Sequence, residues 1–418
     1  MDRRTFAGAA LAAFGLAPAR LWAQSASSSA SSSPVPIAPP APDPDFLRWK
    51  AGFIARATAK GFRRDFVIDT LAAMAAPDAA VLAIDRKVTD IHYPVSHQVA
   101  INVTPDHIQA LQAKLAANTH IAEIETAYGV PRSILGGIWT METRLGTIQG
   151  GFDVVTALAT LAYAGHRAQW AEGELLEALR ILDGGLATRA QMIGAWDAGM
   201  GQTQFEPSTY LKLAVDGDHD GRIDIWGSDA DALASAANYL SKAGWSHGDE
   251  WAVEVQLPDG FDYALSEGPK RPVADWLDRG LHRADRAPWP GTETAQPAAL
   301  YLPAGAAGPV FLLLHNHQVI KRYNNSDAYA LCVGLIADAQ AGAPPTVAAW
   351  PVERPMTRAQ RMAAQGGLKA AGYDPGPVTG TFGTQSRAAL RRWQKAHGRP
   401  ADGYLNADLA DELARVAM

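Results

Sequence analysis

Glu142 is the residue whose surroundings best suit it to move a proton. It lies in Gly129-Val130-Pro131-Arg132-Ser133-Ile134-Leu135-Gly136-Gly137-Ile138-Trp139-Thr140-Met141-Glu142-Thr143-Arg144-Leu145-Gly146. Pro131 suits a first helical turn, where its missing N–H is harmless, and Gly146 is a reasonable stop. On such a helix Ile134 and Ile138 precede Glu142 by two turns and one, and Leu145 follows it on the same side. The carboxyl then sits on or at the rim of the apolar face, where desolvation raises its pKa and keeps a proton available. From spacing alone, a glutamate paired with an unseen arginine, or lying just outside the stripe, fits at least as well.

Three other groupings invite a chemical reading. Around Trp196 and Met200, in Gly194-Ala195-Trp196-Asp197-Ala198-Gly199-Met200-Gly201-Gln202-Thr203-Gln204-Phe205, small residues leave little bulk for a core. Glycine used this way lets a ligand approach the backbone; a plain turn between domains is the alternative. Asp216, Asp218 and Asp220 with Gly221 match the first half of a calcium loop, with alternating carboxylates and a sharp turn. Its twelfth position is Gly227 rather than a bidentate glutamate, so an Asp-rich turn without metal competes with the cation site. His315-Asn316-His317 follows the apolar run 310–314 and reads as part of a strand. With no third ligand apparent, zinc is not expected there.

The elements that must carry these residues are mostly helical. Helical periodicity prevails over about 46–341. Before it, residues 24–45 are Ser, Ala and Pro almost throughout and read as a disordered tether. Pro344-Pro345 lies in a second linker, 342–356. Residues 357–418 form a separate small unit, with Leu409, Leu413 and Val416 on one helical face and Ala389, Leu390 and Trp393 on another. Between those faces 372–383 holds four glycines and two prolines, too turn-rich for regular structure. The expected tail is a compact three-helix module.

The chain opens Met1-Asp2-Arg3-Arg4-Thr5-Phe6, followed by a weakly apolar run and then small Ala23. Residues 1–23 thus read as a signal peptide of the paired-arginine type, and the expected destination is the periplasm. No cysteine follows the apolar run, so a lipid anchor is not expected. Over all 418 residues, 48% hydrophobic and 19% charged composition excludes a disordered or fibrous protein. The net charge of −6 argues against a dedicated nucleic-acid binder. A single cysteine, Cys332, forbids an internal disulfide. No uncharged apolar run reaches the roughly 18 residues of a membrane span.

Glu142-Thr143 with Gly146, Ala157-Leu158-Ala159-Thr160-Leu161 and the 199–205 segment together resemble the B family of lytic murein transglycosylases. The similarity continues through Asp216-Gly217-Asp218-His219-Asp220-Gly221, Ala237-Asn238-Tyr239-Leu240, Arg322-Tyr323-Asn324-Asn325-Ser326 and Tyr329-Ala330, in family order. It implies a mainly α architecture: a lysozyme-like α+β catalytic domain over 46–341, acting on peptidoglycan glycan strands. It implies Glu142 as the acid that protonates the bond between N-acetylmuramic acid and N-acetylglucosamine, then as the base for the muramyl C6 hydroxyl. The product is a 1,6-anhydromuramyl end. Ordinary glycosidases use two carboxylates; here an internal hydroxyl and the acetamido group replace the second. By the same resemblance Gln204, Phe205, Tyr239, Tyr323, Asn324 and Tyr329 line the sugar groove. The family's calcium loop closes on a later aspartate, so Asp231 joins Asp216, Asp218 and Asp220 as ligands of a structural calcium ion. No cofactor is implied for catalysis itself.

Departures from the family pattern set further expectations. Ala195 replaces a serine, Asp197 an alanine, and Glu206 a usually apolar residue. An Asp197 facing Glu142 would hold the acid's proton to higher pH; as a base for water, it would turn the enzyme into a hydrolysing muramidase. A feeble peptidoglycan-binding scaffold is the reading from another class. The tail, through Gly372-Tyr373-Asp374-Pro375-Gly376-Pro377-Val378-Thr379-Gly380 and Asp402-Gly403, resembles the three-helix peptidoglycan-binding domain. Thr379 stands there where the family has aspartate.

Overall fold

The computed structural model describes residues 41–87, 91–289 and 294–416. The expected signal segment 1–23, and the linker as far as residue 40, lie outside the described residues. Helices dominate, with small antiparallel sheets between them, which is the mainly α class expected. The described residues divide into two compact units that are not successive along the chain: 41–87 with 142–238, and 91–141 with 239–416.

The first unit begins with the helix Pro44–Ala59, inside the stretch read as linker. Asp43 explains the early start: its carboxylate accepts the N–H groups of Asp45 and Phe46, and Pro44 occupies the first turn. Val154–Ala164 is apolar almost all round and buried, packed against Ala168–Asp183. Asp153 caps it at the Thr156 N–H and pairs with Arg189. The two-residue strands Phe152–Asp153 and Ile193–Gly194 pair antiparallel and bring the 194–205 turns beside this helix.

The second unit holds a five-stranded antiparallel sheet in the order Arg271–Pro272, Pro297–Tyr301, Val310–Leu313, Ala252–Gln256, His282–Arg283. Val310–Leu313 is central and buried on both faces, whereas Ala252–Gln256 alternates. Trp276, Leu300 and Leu312 lie in its core. His315-Asn316-His317 is not in this strand: a helix, His315–Tyr323, starts there. Asn316 fixes the helix start, accepting from the Ser246 N–H and donating to the Ser246 and Asp249 carbonyls. Two positions apart on a helix, the histidines face different ways. His315 meets the Gly244 carbonyl, and His317 is buried against Trp251, where burial pushes it down to about 4 and keeps it neutral.

The C-terminal helices Arg358–Ala370, Thr384–Ala396 and Ala407–Val416 form the expected three-helix module. A Cβ on Gly367 would stand 1.9 Å from the Leu413 carbonyl, so glycine allows the first and third helices to touch. Leu409 and Leu413 are buried, but Val416, one turn beyond that contact, is 47% exposed and not in the core as expected. Gln365 organises the glycine-rich loop, accepting from the Thr379 and Gly380 N–H groups and donating to the Thr381 carbonyl. The segment expected to be a free linker, 342–356, is held against the sheet. Glu254 accepts the N–H groups of Val347 and Ala348, Trp350 stacks on Phe311, and Met356–Thr357 pairs with Ile91–His92.

Candidate active site

Glu142 sits near the end of the helix Arg132–Thr143. Arg132 is tied at the other end by Glu125, which receives both its backbone N–H and its guanidinium. Gly136 and Gly137 bring the helix into close packing: a Cβ would come within 2.5 Å of Leu111 at one and of the Val333 carbonyl at the other. Ile134, Ile138 and Leu145 are all buried, and Glu142 itself is 7% exposed. Glu142 therefore lies on a helix whose apolar residues are buried around it.

Directly after Glu142 the backbone turns left-handed for three residues, Arg144 (φ 51°), Leu145 (φ 60°) and Gly146 (φ 81°). Two of these are not glycine, which costs of order 1–3 kcal/mol each and needs strong surroundings to persist. Thr143 supplies part of that support. Its hydroxyl donates to the Gln202 carbonyl (2.9 Å) and accepts the Gly146 N–H (3.1 Å). At Gly146 a Cβ would lie 2.4 Å from Gln202 Oε1. The helix end and the 199–205 turn are thus locked together within the first unit. The motif alone gives Thr143 no role; a hydroxyl next to a candidate acid is the available signal.

That turn is a tight loop in which Met200 and Phe205 exchange backbone hydrogen bonds (2.9 and 3.1 Å). A Cβ on Gly194 would stand 2.1 Å from the Gly199 carbonyl, and one on Gly150 equally close to the Gly194 carbonyl. Glycine here admits neighbouring backbone. Gln204, left-handed at φ 51°, donates to the Gln149 and Gly201 carbonyls, and Phe205 is buried at 2% exposure. Both brace the loop.

The other aromatic candidates belong to the second unit. Tyr239 donates to the Arg322 carbonyl and packs its ring 4.8 Å from the half-buried Tyr323. Tyr329 is buried on the helix Asp327–Gln340. Asn324, also buried, leaves its Oδ1 without a hydrogen-bond partner within the protein. A buried amide oxygen left without a partner suits a donor group of a ligand.

Asp197 lies in the first unit, and its acid responds to groups of that unit. Burial raises it, while Arg167 and the N–H groups of Asp197 and Gly199 oppose. Glu206 responds to the same surroundings. Burial, the neighbouring Glu174 and Asp197 push it up to about 7 against Arg167 and a hydrogen bond from Trp170. Glu174 accepts the Ser208 N–H (2.8 Å) at the start of Pro207–Leu213, and burial raises its acid too. This acidic group escaped the sequence reading because Glu174 lies 23 residues before Asp197 in the chain. Its position among buried Ala171, Leu175 and Ala178 was the signal.

Asp216, Asp218 and Asp231 bring carboxylate oxygens within 4.8 Å of one another. Asp220 is not among them: it is exposed and caps the Arg222 N–H. Gly221 takes the expected left-handed turn at φ 88°. Asp231 is fixed by the Gly217 and Asp224 N–H groups, and burial with nearby Asp218 and Asp216 raises its acid. Asp216 accepts the Gly221 N–H at Oδ2, while its buried Oδ1 has no hydrogen-bond partner. Three crowded carboxylates with an open oxygen fit a hard cation.

Comparison with known proteins gives the family. The Transglycosylase SLT domain family matches residues 45–338, and a family described as a putative peptidoglycan binding domain matches 357–413. Membrane-bound lytic murein transglycosylase B of Escherichia coli K12 is 32% identical over 250 residues, which span 57% of this chain and 65% of that protein. SltB3 from Pseudomonas aeruginosa, solved in complex with NAG-anhNAM-pentapeptide, is 41% identical with a TM-score of 0.82, over 89% of this chain and all of that one. The Escherichia coli lytic transglycosylase Slt35, solved with calcium, is 28% identical with a TM-score of 0.60, over 72% and 93%. The lysozyme-like, mainly helical fold expected from the motifs is borne out, and the chain belongs to the transglycosylase SLT domain family.

Proposed function

We propose that this protein is a lytic transglycosylase that cleaves the β-1,4 bond between N-acetylmuramic acid and N-acetylglucosamine in peptidoglycan, with Glu142 as its single acid and base. The observation that carries the assignment is the burial of Glu142 at the carbonyl end of its helix, beside a hydrogen-bonded left-handed turn. Burial excludes water from the side chain and the turn fixes the helix end, which suits a group that delivers a proton to one oxygen. Of the other buried carboxyls, Glu174 and Asp231 are engaged by backbone N–H groups.

In the reaction the Glu142 proton passes to the glycosidic oxygen as the C1–O bond breaks. The substrate's acetamido oxygen and then its C6 hydroxyl take the electron-poor C1. The C6 hydroxyl proton returns to Glu142, so the acid is regenerated and no water is consumed. Support for Gln204, Phe205, Tyr239, Tyr323, Asn324 and Tyr329 as groove residues comes from the motifs and from the open Asn324 Oδ1. Gln204 and Phe205 act by bracing the loop. The hydrolysing alternative needs Asp197 as a base, and the charged groups acting on Asp197 are Arg167 and Glu206 instead. Mass analysis of muropeptides released from sacculi tests the reaction. Anhydro ends are expected, and products heavier by one water would replace this reading with the muramidase.

Asp216, Asp218 and Asp231 would hold a calcium ion, which supplies a structural link between the 216–221 loop and the helix Asp229–Lys242. The paired arginines at Arg3 and Arg4 support export to the periplasm. Among the described residues no helix is long and apolar enough to cross a membrane. The domain plan follows: signal 1–23, tether 24–45, catalytic segment 46–341, connecting segment 342–356 and a wall-binding module over 357–418.

A further inference from the structure

A cavity of about 840 Å³ lies within the second unit. It meets the helix Arg132–Thr143 only at its first residues, the opposite end from Glu142. Its volume falls in the range of ligand pockets, roughly 300–1,000 Å³. Trp245, Trp251, Phe311 and Trp350 contribute to its wall, with carboxylates such as Asp249 and Asp338 between them. Trp251 and Phe311 are buried, whereas Trp245 and Trp350 keep part of their surface open.

Two features make this a built site. The indole Nε1 of Trp245 is buried and has no hydrogen-bond partner, a donor that folding alone leaves unused. The wall is also held in place. Trp350 sits on the segment that Glu254 pins at Val347 and Ala348 (2.7 and 2.9 Å), and Asp338 receives the Trp251 indole N–H at both oxygens (3.1 Å). Asp249 accepts the Ser246 hydroxyl at Oδ2, leaving Oδ1 to face other donors.

We propose that this cavity is an accessory saccharide site, separate from the cleavage site, that takes N-acetylated sugar rings of the glycan strand. The open indole faces of Trp245 and Trp350 accept the C–H faces of the rings. Trp245 Nε1–H donates to an acetamido or hydroxyl oxygen, and Asp249 accepts from a sugar hydroxyl. Arg283 in the wall is paired with Glu250 and Asp285, so the carboxylate excess disfavours anionic ligands, and the polar groups spaced between the aromatics suit hydroxyl-bearing rings better than an acyl chain. The choice of sugar rests on the reading of the chain as a peptidoglycan enzyme.

Binding can be measured without turnover, so this proposal and the Glu142 assignment fail separately. The full chain is titrated with tri-N-acetylchitotriose, reading calorimetric stoichiometry and tryptophan fluorescence. The expected result is a saccharide site weakened about tenfold by Trp245→Phe, which keeps an aromatic ring but removes the N–H. Trp350→Ala should abolish that site while other saccharide binding persists. Melting curves confirm that each variant is folded, and Trp245→Phe decides if Trp350→Ala is not. Binding that both folded variants leave unchanged overturns the proposal, as does a wild-type chain whose cavity responds only to a stem peptide.

Discussion

At the scale of single residues, the electrostatics of two carboxyls give separate tests. Glu142→Gln keeps the shape of the acid and removes its proton, so turnover of sacculi should fall roughly 10²–10⁴-fold. Comparable turnover by a folded Glu142→Gln variant would return the acid's role to another group. Glu206 predicts a stability effect. Its acid lies at about 7 in the folded protein against an ordinary value of 4.5. Below pH 4.5 both states hold the proton and the native state bears no charge penalty. As pH rises from about 4.5 to about 7, the unfolded state loses its proton first, and stability falls. Glu206→Gln should flatten that part of the profile and stabilise the protein at pH 8 by about 2 kcal/mol, allowing for partial solvent contact. Parallel melting profiles for the two proteins would mean that Glu206 is paired more fully than its surroundings imply. Asp197→Ala should leave the products anhydro-ended, because Asp197 is engaged with Arg167 and the Gly199 N–H.

At the scale of elements, the site depends on how a helix ends and how a loop closes. Thr143 joins the Glu142 helix to the 199–205 turn through two hydrogen bonds. Thr143→Val keeps the side-chain shape but leaves the Gln202 carbonyl and the Gly146 N–H short of a partner. It should cost about 1–3 kcal/mol of stability, with turnover falling further as the left-handed turn relaxes. A variant with wild-type melting and turnover would show that the turn holds itself. For the acidic loop, calcium at about 100 times its dissociation constant should stabilise the fold by roughly 2.7 kcal/mol. Asp218→Ala should remove that response. Asp220→Ala should spare it, because Asp220 stands apart from the three converging carboxylates. Melting curves with chelator and with calcium separate the cases, and equal loss in both variants would restore the four-aspartate loop.

At the scale of the molecule, the C-terminal module is docked within the second unit rather than hanging on a tether. Asp402 accepts the Ala306 N–H (2.8 Å), Arg391 pairs with Glu267, and Glu353 receives hydroxyls from both Ser96 and Tyr404. A Cβ on Gly305, at φ 63°, would stand 2.5 Å from Asp402 Oδ2. Gly305→Ala should therefore loosen the module and split its melting from the rest of the unit in calorimetry. An unsplit transition would place the docking energy in the other contacts. Docking of this kind limits the module's freedom within its unit, unlike a flexible tether, whose effect is a raised local concentration.

The sequence by itself determined what depends on local order. The helix around Glu142, the left-handed Gly221, the three helices of the tail and the family motifs were all legible, because 3.6-residue periodicity and turn chemistry act over a few residues. It could not decide what the Glu142 helix packs against; Gly136 and Gly137 do that by admitting Leu111 and Val333. The same holds for His315-Asn316-His317, read as strand from the apolar run before it and made helical by Asn316 reaching Ser246 and Asp249. Glu174 with Glu206 and Glu254 with Val347 are each brought together across the chain. Their distances, and hence their charge states and cavities, arise from long-range packing, which no pattern of neighbours in sequence encodes.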